Sequence, residues 1–323
     1  MDSGPAHMRD QLPVPIEPGA GESSGSYCLR SVASHGLNMH WLRRIARLSY
    51  LAHPTASHEQ EISHLVQAPR EWLRAALPLT VQGPGSGWWY QGHRLRAQSY
   101  LRFRWPQVCA ACLHSRGYCL ALWDFSLITS CSKHGESLID YCLACKRPLS
   151  WDRPAVDICA CGRPIRGVGQ PSKSSSLGAL ESLIEAHVLG RPPTRDSLVS
   201  AGLPDFLADM STDGVMSVVH AFGEQEAPLE RGTPSVMTRM RAAADWRAVV
   251  RRADARLRQL AIEPGSSAVL GPLVNESILK RLDEGALTPA DRQVSRLVTA
   301  ALFGKAACAR AQALVNGQRE LFA

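Results

Sequence analysis

The chain has 323 residues, 45% of them hydrophobic, and a formal net charge of +7. This length is enough for two or three small domains, and the hydrophobic content is that of a folded protein. No apolar run reaches the roughly 18 residues of a membrane span, and residues 1–20 lack the apolar core of a secretory signal. We therefore expect a cytoplasmic protein that does not contact a membrane.

Basic charge and aromatic residues are both concentrated in the first half of the chain. Residues 1–170 have a net charge of +6 and residues 171–323 a net charge of +1. All six tyrosines and seven of the eight tryptophans precede residue 152. This asymmetry predicts two kinds of domain, joined by a linker rich in Gly, Pro and Ser at Gly167–Ser176.

The N-terminal half begins with an extended tail, residues 1–21, followed by a helical subdomain, residues 22–90. The hydrophobic spacing predicts four helices: Ser23–His35, a helix capped by Asn38, Glu59–Gln67, and a short helix from Pro69 to near Leu77. Gly83–Gly87 is predicted to end the helical part. The arrangement is similar to a helix-turn-helix, although an inert three-helix scaffold would have the same pattern.

The segment between Glu71 and Asp124 contains no acidic residue, and its arginines alternate with aromatic residues. Arginines that bind phosphates and aromatic rings that stack on bases are frequent in nucleic-acid-binding surfaces. The alternation in Arg102-Phe103-Arg104-Trp105 predicts a strand with one basic face. A solvated face over a small aromatic core is the alternative. The predicted nucleic-acid contacts are six arginines: Arg70, Arg74, Arg94, Arg96, Arg102 and Arg104.

Ten cysteines are the most informative part of the composition, and eight of them lie in residues 109–161. Seven of these eight form four spaced pairs together with one histidine: Cys109 and Cys112, Cys131 and His134, Cys142 and Cys145, Cys159 and Cys161. Close spacing lets a tight turn aim both side chains at one ion, and zinc takes four such donors in a tetrahedron. The sequence therefore predicts two Zn²⁺ ions bound in tandem ribbons or fingers, residues 91–166.

We assign the first two pairs to one site and the last two pairs to the other, while interleaved pairing remains open at this stage. Disulfides would require an oxidising compartment, and an iron–sulfur cluster would prefer four cysteines. Eight donors for two ions leave no position for water, so both sites are expected to be structural. Cys28, Cys119 and Cys308 fall outside the pairs and are expected to pack in the interior, Cys119 within a strand.

The C-terminal half, residues 177–323, is predicted to be entirely helical. Five helical segments are predicted: Leu177–Leu189, Leu203–Asp209, Asp213–Phe222, Ser235–Ile262 and Leu287–Phe303. The complete chain is therefore expected to be mainly α with small β. Walker A, HExxH and Rossmann patterns are absent, which argues against an enzyme.

Three blocks of sequence resemble the TniQ family of bacterial transposition proteins. Leu12-Pro13-Val14-Pro15 leads into Pro18-Gly19-Ala20-Gly21-Glu22-Ser23, which is similar to the family's PGES start with Ala20 inserted. Ser26–Leu37 resembles the family's first helix. In Arg104–Cys161, the order RxxxxCxxC, Trp123, CxxHG, Leu138, CxxC, CxCG follows the family order, although Ala110, Ser132 and Leu143 stand where proline is frequent.

This resemblance implies a non-enzymatic target-selection factor in a bacterial cytoplasm. Such proteins link a target-recognising element to an AAA+ ATPase regulator, which recruits the transposase. Some bind target DNA, and others sit on a CRISPR RNA-guided complex. The resemblance leaves open which target this chain uses and whether it forms a homodimer. The alternative function is a zinc-ribbon, helix-turn-helix transcription regulator.

Overall fold

The protein is described here by a computed structural model that covers residues 11–48, 53–83, 86–165, 177–226, 242–262 and 267–304. This part of the chain is mainly helical and contains one small antiparallel sheet, so the predicted fold class is confirmed. The chain divides into two compact units, Met1–Leu177 and Gly178–Ala323. The predicted linker at Gly167–Ser176 lies outside the described residues.

The N-terminal unit contains the four helices predicted from the sequence: α1 (Ser24–Ala33), α2 (Met39–Ile45), α3 (Glu59–Val66) and α4 (Arg70–Ala76). Ser23 and Asn38 cap the first two, because each side chain accepts a hydrogen bond from a backbone N–H three residues later. Pro69 is the N-cap of α4 and not its first helical residue. Gln67, at φ 51°, ends α3 in the left-handed conformation.

A small hairpin sheet that the sequence analysis missed follows the helices. It comprises β1 (Leu79–Val81), β2 (Gly87–Tyr90) and β3 (His93–Leu95), paired antiparallel in the order β1-β2-β3. Gly87, the last residue of the predicted boundary Gly83–Gly87, is the first residue of β2, and residues 84–85 lie outside the described residues. Tyr90 and Leu95 are buried, whereas Leu79 and Trp89, which pair across β1 and β2, remain 48% and 46% exposed. The sheet thus has one packed face and one outward face.

The predicted tail is irregular but packed against the helices from residue 11 onward. Leu12 is buried, and its N–H donates to Leu65 O at 2.8 Å. Gln67 Nε2 donates to Leu12 O, and Tyr27 Oη donates to Ile16 O at 3.0 Å. Residues 11–21 therefore belong to the helical subdomain, while residues 1–10 lie outside the described chain.

The rest of the N-terminal unit has little regular secondary structure. It contains α5 (Ala110–Arg116) and short 3₁₀ turns at Gln98–Tyr100 and Ala121–Asp124, followed by isolated β-bridges. The predicted strand at residues 102–105 is wrong, because the segment bends and belongs to none of the described strands. Arg102 is buried whereas Arg104 is exposed, so the two arginines do not share one basic face.

The C-terminal unit is a helical bundle around one buried helix. Its elements are α6 (Ala179–Val188), α7 (Arg195–Ser200), a 3₁₀ turn at Asp205–Asp209, α8 (Thr212–Gly223), α9 (Ala243–Ile262), α10 (Ser267–Leu270), α11 (Glu276–Glu284) and α12 (Pro289–Phe303). Every residue of α8 is buried, and α6, α9 and α11 pack against it. Within the described ranges, no helix has the length and apolar character needed to cross a bilayer.

Three of the five C-terminal predictions correspond to helices with similar bounds. The predicted segment Leu203–Asp209 is a 3₁₀ turn, and the predicted Ser235–Ile262 is helical from Ala243 within the described residues. Helices α7 and α11 were missed, because each is short and bounded by residues that also suit a loop. Cys308 lies outside the described residues.

Candidate metal centres and nucleic-acid interface

The first cluster brings together one donor atom each from Cys109, Cys112, Cys131 and His134, all within 4.8 Å of one another. His134 Nδ1 lies 3.4 Å from Cys109 Sγ, 3.2 Å from Cys112 Sγ and 3.6 Å from Cys131 Sγ. The Cys112 and Cys131 sulfurs are 3.6 Å apart. All three cysteines are buried. The four donors therefore face one common point inside the unit.

The second cluster brings together Cys142, Cys145, Cys159 and Cys161, again within 4.8 Å. The sulfurs of Cys142 and Cys161 are 3.9 Å apart, and those of Cys145 and Cys159 are 3.8 Å apart. Each group is made of consecutive pairs along the chain, so the structure assembles the sequential arrangement and not the interleaved one.

These separations fit a metal ion better than they fit disulfides. A disulfide needs about 2.05 Å between sulfurs, and the described cysteines are free thiols. Zinc–sulfur bonds of about 2.3 Å and zinc–nitrogen bonds of about 2.05 Å in a tetrahedron place sulfurs about 3.8 Å apart and sulfur and nitrogen about 3.6 Å apart. The measured separations, 3.6–3.9 Å and 3.2–3.6 Å, lie close to these values. Both clusters could therefore hold a metal ion.

Three of the four pairs lie on the same kind of tight turn. The residue after the turn has a positive φ in each: Gly135 at 63°, Lys146 at 62° and Gly162 at 79°. The N–H of Gly135 donates to Cys131 O at 2.7 Å, and the N–H of Lys146 donates to Cys142 O at 2.8 Å. The Cys109 pair differs, because Cys109 is the N-cap of α5 and its sulfur accepts from the Cys112 N–H. Local backbone geometry thus presents each pair to its cluster.

One sulfur in each cluster is strongly favoured as a thiolate. A hydrogen bond from Cys109 is the largest cause lowering the pKa of Cys131, to about 4, while the pKa of Cys109 is raised. A hydrogen bond from the Arg147 backbone is the largest cause lowering the pKa of Cys145, to about 6. Thiolates are the form that binds metal, so each cluster contains one sulfur that is already favoured in that form.

The PGES-like block connects the N-terminal helices to the first cluster's loop. Ser23 caps α1, and its N–H donates to Cys119 O at 3.0 Å. The Cys119 N–H donates in turn to Ser26 Oγ at 2.9 Å. A Cβ on Gly19 would lie 2.5 Å from the Tyr118 ring, so a side chain at that position would require the ring to move. Cys119 is buried, and it lies beside a single β-bridge and not in a strand.

Glu22 is the buried charge at the centre of this connection. Its carboxylate accepts hydrogen bonds from Gly19 N at 2.8 Å, Ser26 Oγ at 2.8 Å, and Arg30 Nε and Nη2 at 2.8 and 2.7 Å. Its side chain is fully buried. In the sequence, Glu22 stood out only as part of the PGES-like motif. In the structure, its carboxylate links the tail, through Gly19, to Ser26 and Arg30 of α1.

Of the six predicted nucleic-acid arginines, Arg102 is in the interior. Its guanidinium is 2% exposed, donates to Asp140 Oδ2 at 2.6 Å and donates to Trp105 O. A phosphate could not reach it without breaking a buried ion pair. We therefore withdraw Arg102 from the predicted interface, because it stabilises the region between the helices and the clusters.

Arg70 and Arg74 lie on one face of α4, with side chains 57% and 65% exposed. Both form ion pairs with Glu59 on α3, and these pairs lower the pKa of Glu59. The carboxylate neutralises part of their charge, so this face of α4 is less basic than its sequence indicates.

Arg94, Arg96 and Arg104 are the remaining predicted contacts. Arg94 pairs with Trp89 in the register of β2 and β3, so both lie on the outward face of the sheet. Arg94 and Arg96 are half-buried, whereas Arg104 is exposed, with its guanidinium 5.0 Å from the centre of the Trp105 ring. Arg102 is therefore in the interior, and Arg70 and Arg74 are paired with Glu59. Arg94 and Arg104 each lie beside a tryptophan, and Arg96 is half-buried.

Comparison with protein families identifies a match to the model described as TniQ over residues 13–138. The matched range includes the PGES-like block and the whole first cluster, and it ends before Cys142. A search of curated proteins finds no similar sequence. The match supports the family assignment and does not favour the alternative transcription regulator.

Proposed function

We propose, on the premise of the TniQ family assignment of residues 13–138, that this transposition-associated protein is a non-enzymatic adaptor. It links target recognition to an AAA+ ATPase regulator and, through that ATPase, to the transposase. The family match is the observation that carries the proposal. The two clusters are consistent with it, because four protein donors for each ion leave no coordination position for substrate.

The metal ions in this proposal are two structural Zn²⁺. Cys109, Cys112, Cys131 and His134 hold one, and Cys142, Cys145, Cys159 and Cys161 hold the other. Zinc supplies binding free energy to the fold, on the order of 10–16 kcal/mol in zinc-finger peptides. A region with so few helices and strands needs such a contribution, which is why we assign both ions a structural role.

We assign the ATPase contact to the N-terminal helices and the segment packed over them. Val14 is 62% exposed on that segment, although its neighbour Leu12 is buried and the backbone is held by hydrogen bonds. A fixed backbone presenting an apolar side chain loses little conformational entropy on binding. We assign the helices of the C-terminal unit to binding either the targeting complex or a second copy of the chain. A CRISPR effector is one candidate for the targeting complex.

The ATPase contact is tested by co-purification with the AAA+ protein from the same genetic locus. Val14→Asp should reduce the recovered ATPase at least fivefold. Val199→Asp is the matched control, since Val199 is 64% exposed on α7 of the other unit, and it should recover as much ATPase as the unchanged protein. Equal recovery with both variants would contradict the assigned surface, and no recovery with the unchanged protein would contradict the adaptor role.

We assign the nucleic-acid contact to Arg94 and Arg96 on the hairpin together with Arg104. Each phosphate neutralised adds about one to the slope of log affinity against log salt concentration. Arg94→Glu with Arg96→Glu should weaken DNA binding and reduce that slope by about two. Arg251→Glu, at an exposed position on α9, is the charge-matched control and should leave the slope unchanged. An unaltered slope in the hairpin variant would contradict this placement.

A further inference from the structure

A pocket of about 240 Å³ lies in the N-terminal unit between α2, the segment around Phe103 and the approach to the second cluster. Its walls include Arg43, His53, Phe103, Arg104, Trp105 and Trp151. Pockets for drug-sized ligands measure roughly 300–1,000 Å³. This smaller volume suits a single ring system.

Flat aromatic groups form much of the lining. The His53 ring is stacked on Phe103, with centroids 5.0 Å apart and an angle of 16° between the planes. Trp151 is fixed, because its Nε1 donates to Phe103 O at 2.7 Å. Trp105 is half-buried at the edge. A planar guest would therefore meet rings that are already held in place.

One nitrogen among the lining residues has no hydrogen-bond partner of standard geometry within the described chain: Arg43 Nε. The atom is buried, and the Arg43 residue is only 6% exposed. A buried polar atom without a partner destabilises the fold. An apolar guest would leave this N–H unpaired, whereas a ring with acceptors on its edge could accept its hydrogen bond.

The charge of the lining favours an anionic ligand. Arg43 and Asp152 form an ion pair and nearly cancel each other. Arg104 is exposed beside the Trp105 ring and adds a positive charge. A guest that combines a polar flat ring with a neighbouring negative group matches this arrangement better than an aromatic side chain of a protein does.

We infer that this pocket takes one unpaired base of a single-stranded nucleic acid, with Trp105 stacking on the strand and Arg104 binding a phosphate next to that base. The inference rests on the proposed nucleic-acid contact and extends it from duplex phosphates to an extruded base. The strand is DNA or RNA, and the test below separates the two.

The experiment measures binding of the full, zinc-loaded chain to four labelled ligands: a twelve-nucleotide oligothymidylate, its RNA counterpart, an abasic DNA strand of equal charge, and a DNA duplex. The oligothymidylate or its RNA counterpart should bind about tenfold more tightly than the abasic strand, because stacking of one base has about that effect. Comparison of the first two ligands identifies the preferred sugar.

Variants then locate the preference for bases. Trp105→Ala should reduce the preference to below about twofold, and Trp105→Phe should retain most of it. Trp41→Ala removes a half-buried tryptophan on α2 that does not line the pocket and should leave the ratio unchanged. Arg104→Gln should weaken binding of the base-containing and abasic strands equally. Metal content measured for each variant confirms that it has folded.

The outcomes distinguish this inference from the proposed function. Equal affinity for base-containing and abasic strands, with duplex binding that depends on Arg94 and Arg96, would overturn the pocket and retain the adaptor. A preference for bases that survives Trp105→Ala would overturn it as well. Loss of ATPase recovery in Trp105→Ala without any preference for bases would indicate a protein guest. No binding to any of the four ligands would contradict both the base-binding pocket and the assigned nucleic-acid contact.

Discussion

The region of residues 98–165 and the bundle around α8 are stabilised in different ways. In the bundle, one helix that is buried along its whole length packs against several others. Residues 98–165 contain α5 as their one described α-helix and depend more on isolated bridges, the buried Arg102–Asp140 ion pair and two donor clusters. The first arrangement derives its stability from apolar packing, and the second requires ligands and charges to be in place.

Removal of metal should produce the largest difference between the two units in how much structure each one loses. Chelation should unfold residues 98–165 and leave the helical bundle intact, because a structural zinc site contributes on the order of 10–16 kcal/mol. Cys142→Ser should unfold only the part around the second cluster, residues 142–161, since the first cluster keeps its four donors. Hydrogen exchange should show lost protection in these residues and unchanged protection in α8. Cys28→Ala is the control, since Cys28 is buried and belongs to neither cluster. Equal loss of protection in both units would contradict the claim that the two units are stabilised in different ways.

Loss of the Glu22 charge should have the next largest effect. Glu22→Gln removes the charge that pairs with Arg30 and replaces one of the two accepting oxygens with an NH2 group, and disruption of a buried ion pair costs about 3–5 kcal/mol. Urea unfolding followed by tryptophan fluorescence reports mainly on this unit, which contains seven of the eight tryptophans. Arg74→Gln, which removes an ion pair between an exposed arginine and Glu59 in the same unit, should cost much less, because exposed pairs contribute little. Similar costs would contradict the importance of Glu22.

A buried carboxyl should give the N-terminal unit an unusual pH dependence. Burial raises the pKa of Asp124 from 3.8 to about 7, against the effects of a Tyr90 hydrogen bond and the Arg102 charge. The folded state therefore holds this proton more tightly than the unfolded state. The stability from this group is fully present below about pH 4 and is lost as the pH rises through about 7.

Asp124→Asn tests that sign, because asparagine resembles the protonated carboxyl. Between pH 6 and pH 8, the unchanged protein should lose stability relative to Asp124→Asn when both are unfolded in urea. A difference that does not vary with pH would show that Asp124 is ionised throughout. The helical bundle, followed by hydrogen exchange, should show no change between the two proteins.

Two glycines test the packing of the bundle: Gly223, the last residue of α8, and Gly178, the N-cap of α6. A Cβ on Gly223 would lie 2.1 Å from Val249 O, a backbone atom that cannot turn aside. Gly223→Ala should therefore cost about 1–3 kcal/mol through overpacking. Gly178→Ala is the control, because its nearest contact is the Glu181 side chain at 3.6 Å. Hydrogen exchange in α8 measures the effect, and a cost for Gly223→Ala no larger than that for Gly178→Ala would contradict close packing.

The sequence predicted best where local signals were strong. Ser23, Asn38 and the Thr288-Pro289 pair mark helix starts, and the structure has helices that begin there. Donor spacing led to the two groups that the structure assembles, because each pair lies on a local turn. The fold class followed from these elements.

Sequence reasoning failed where distant residues decide the outcome. The Arg102 side chain turns inward because Asp140, far along the chain, supplies a buried partner. The hairpin was missed because its strands are only three or four residues long and GPGSG resembles a linker. The pocket was invisible because His53, Trp105 and Trp151 come from separate segments. In the sequence, the pocket was indicated only by a basic residue followed by an aromatic one, Arg104 and Trp105.

The central claim is that eight donors hold two metal ions, and native mass spectrometry of the purified chain tests it most directly. The account predicts two zinc ions per chain. It predicts one ion in Cys131→Ser, where the first cluster loses a donor, and one in Cys159→Ser, where the second does. A chain that binds no zinc, or that retains two ions in both variants, would contradict the account.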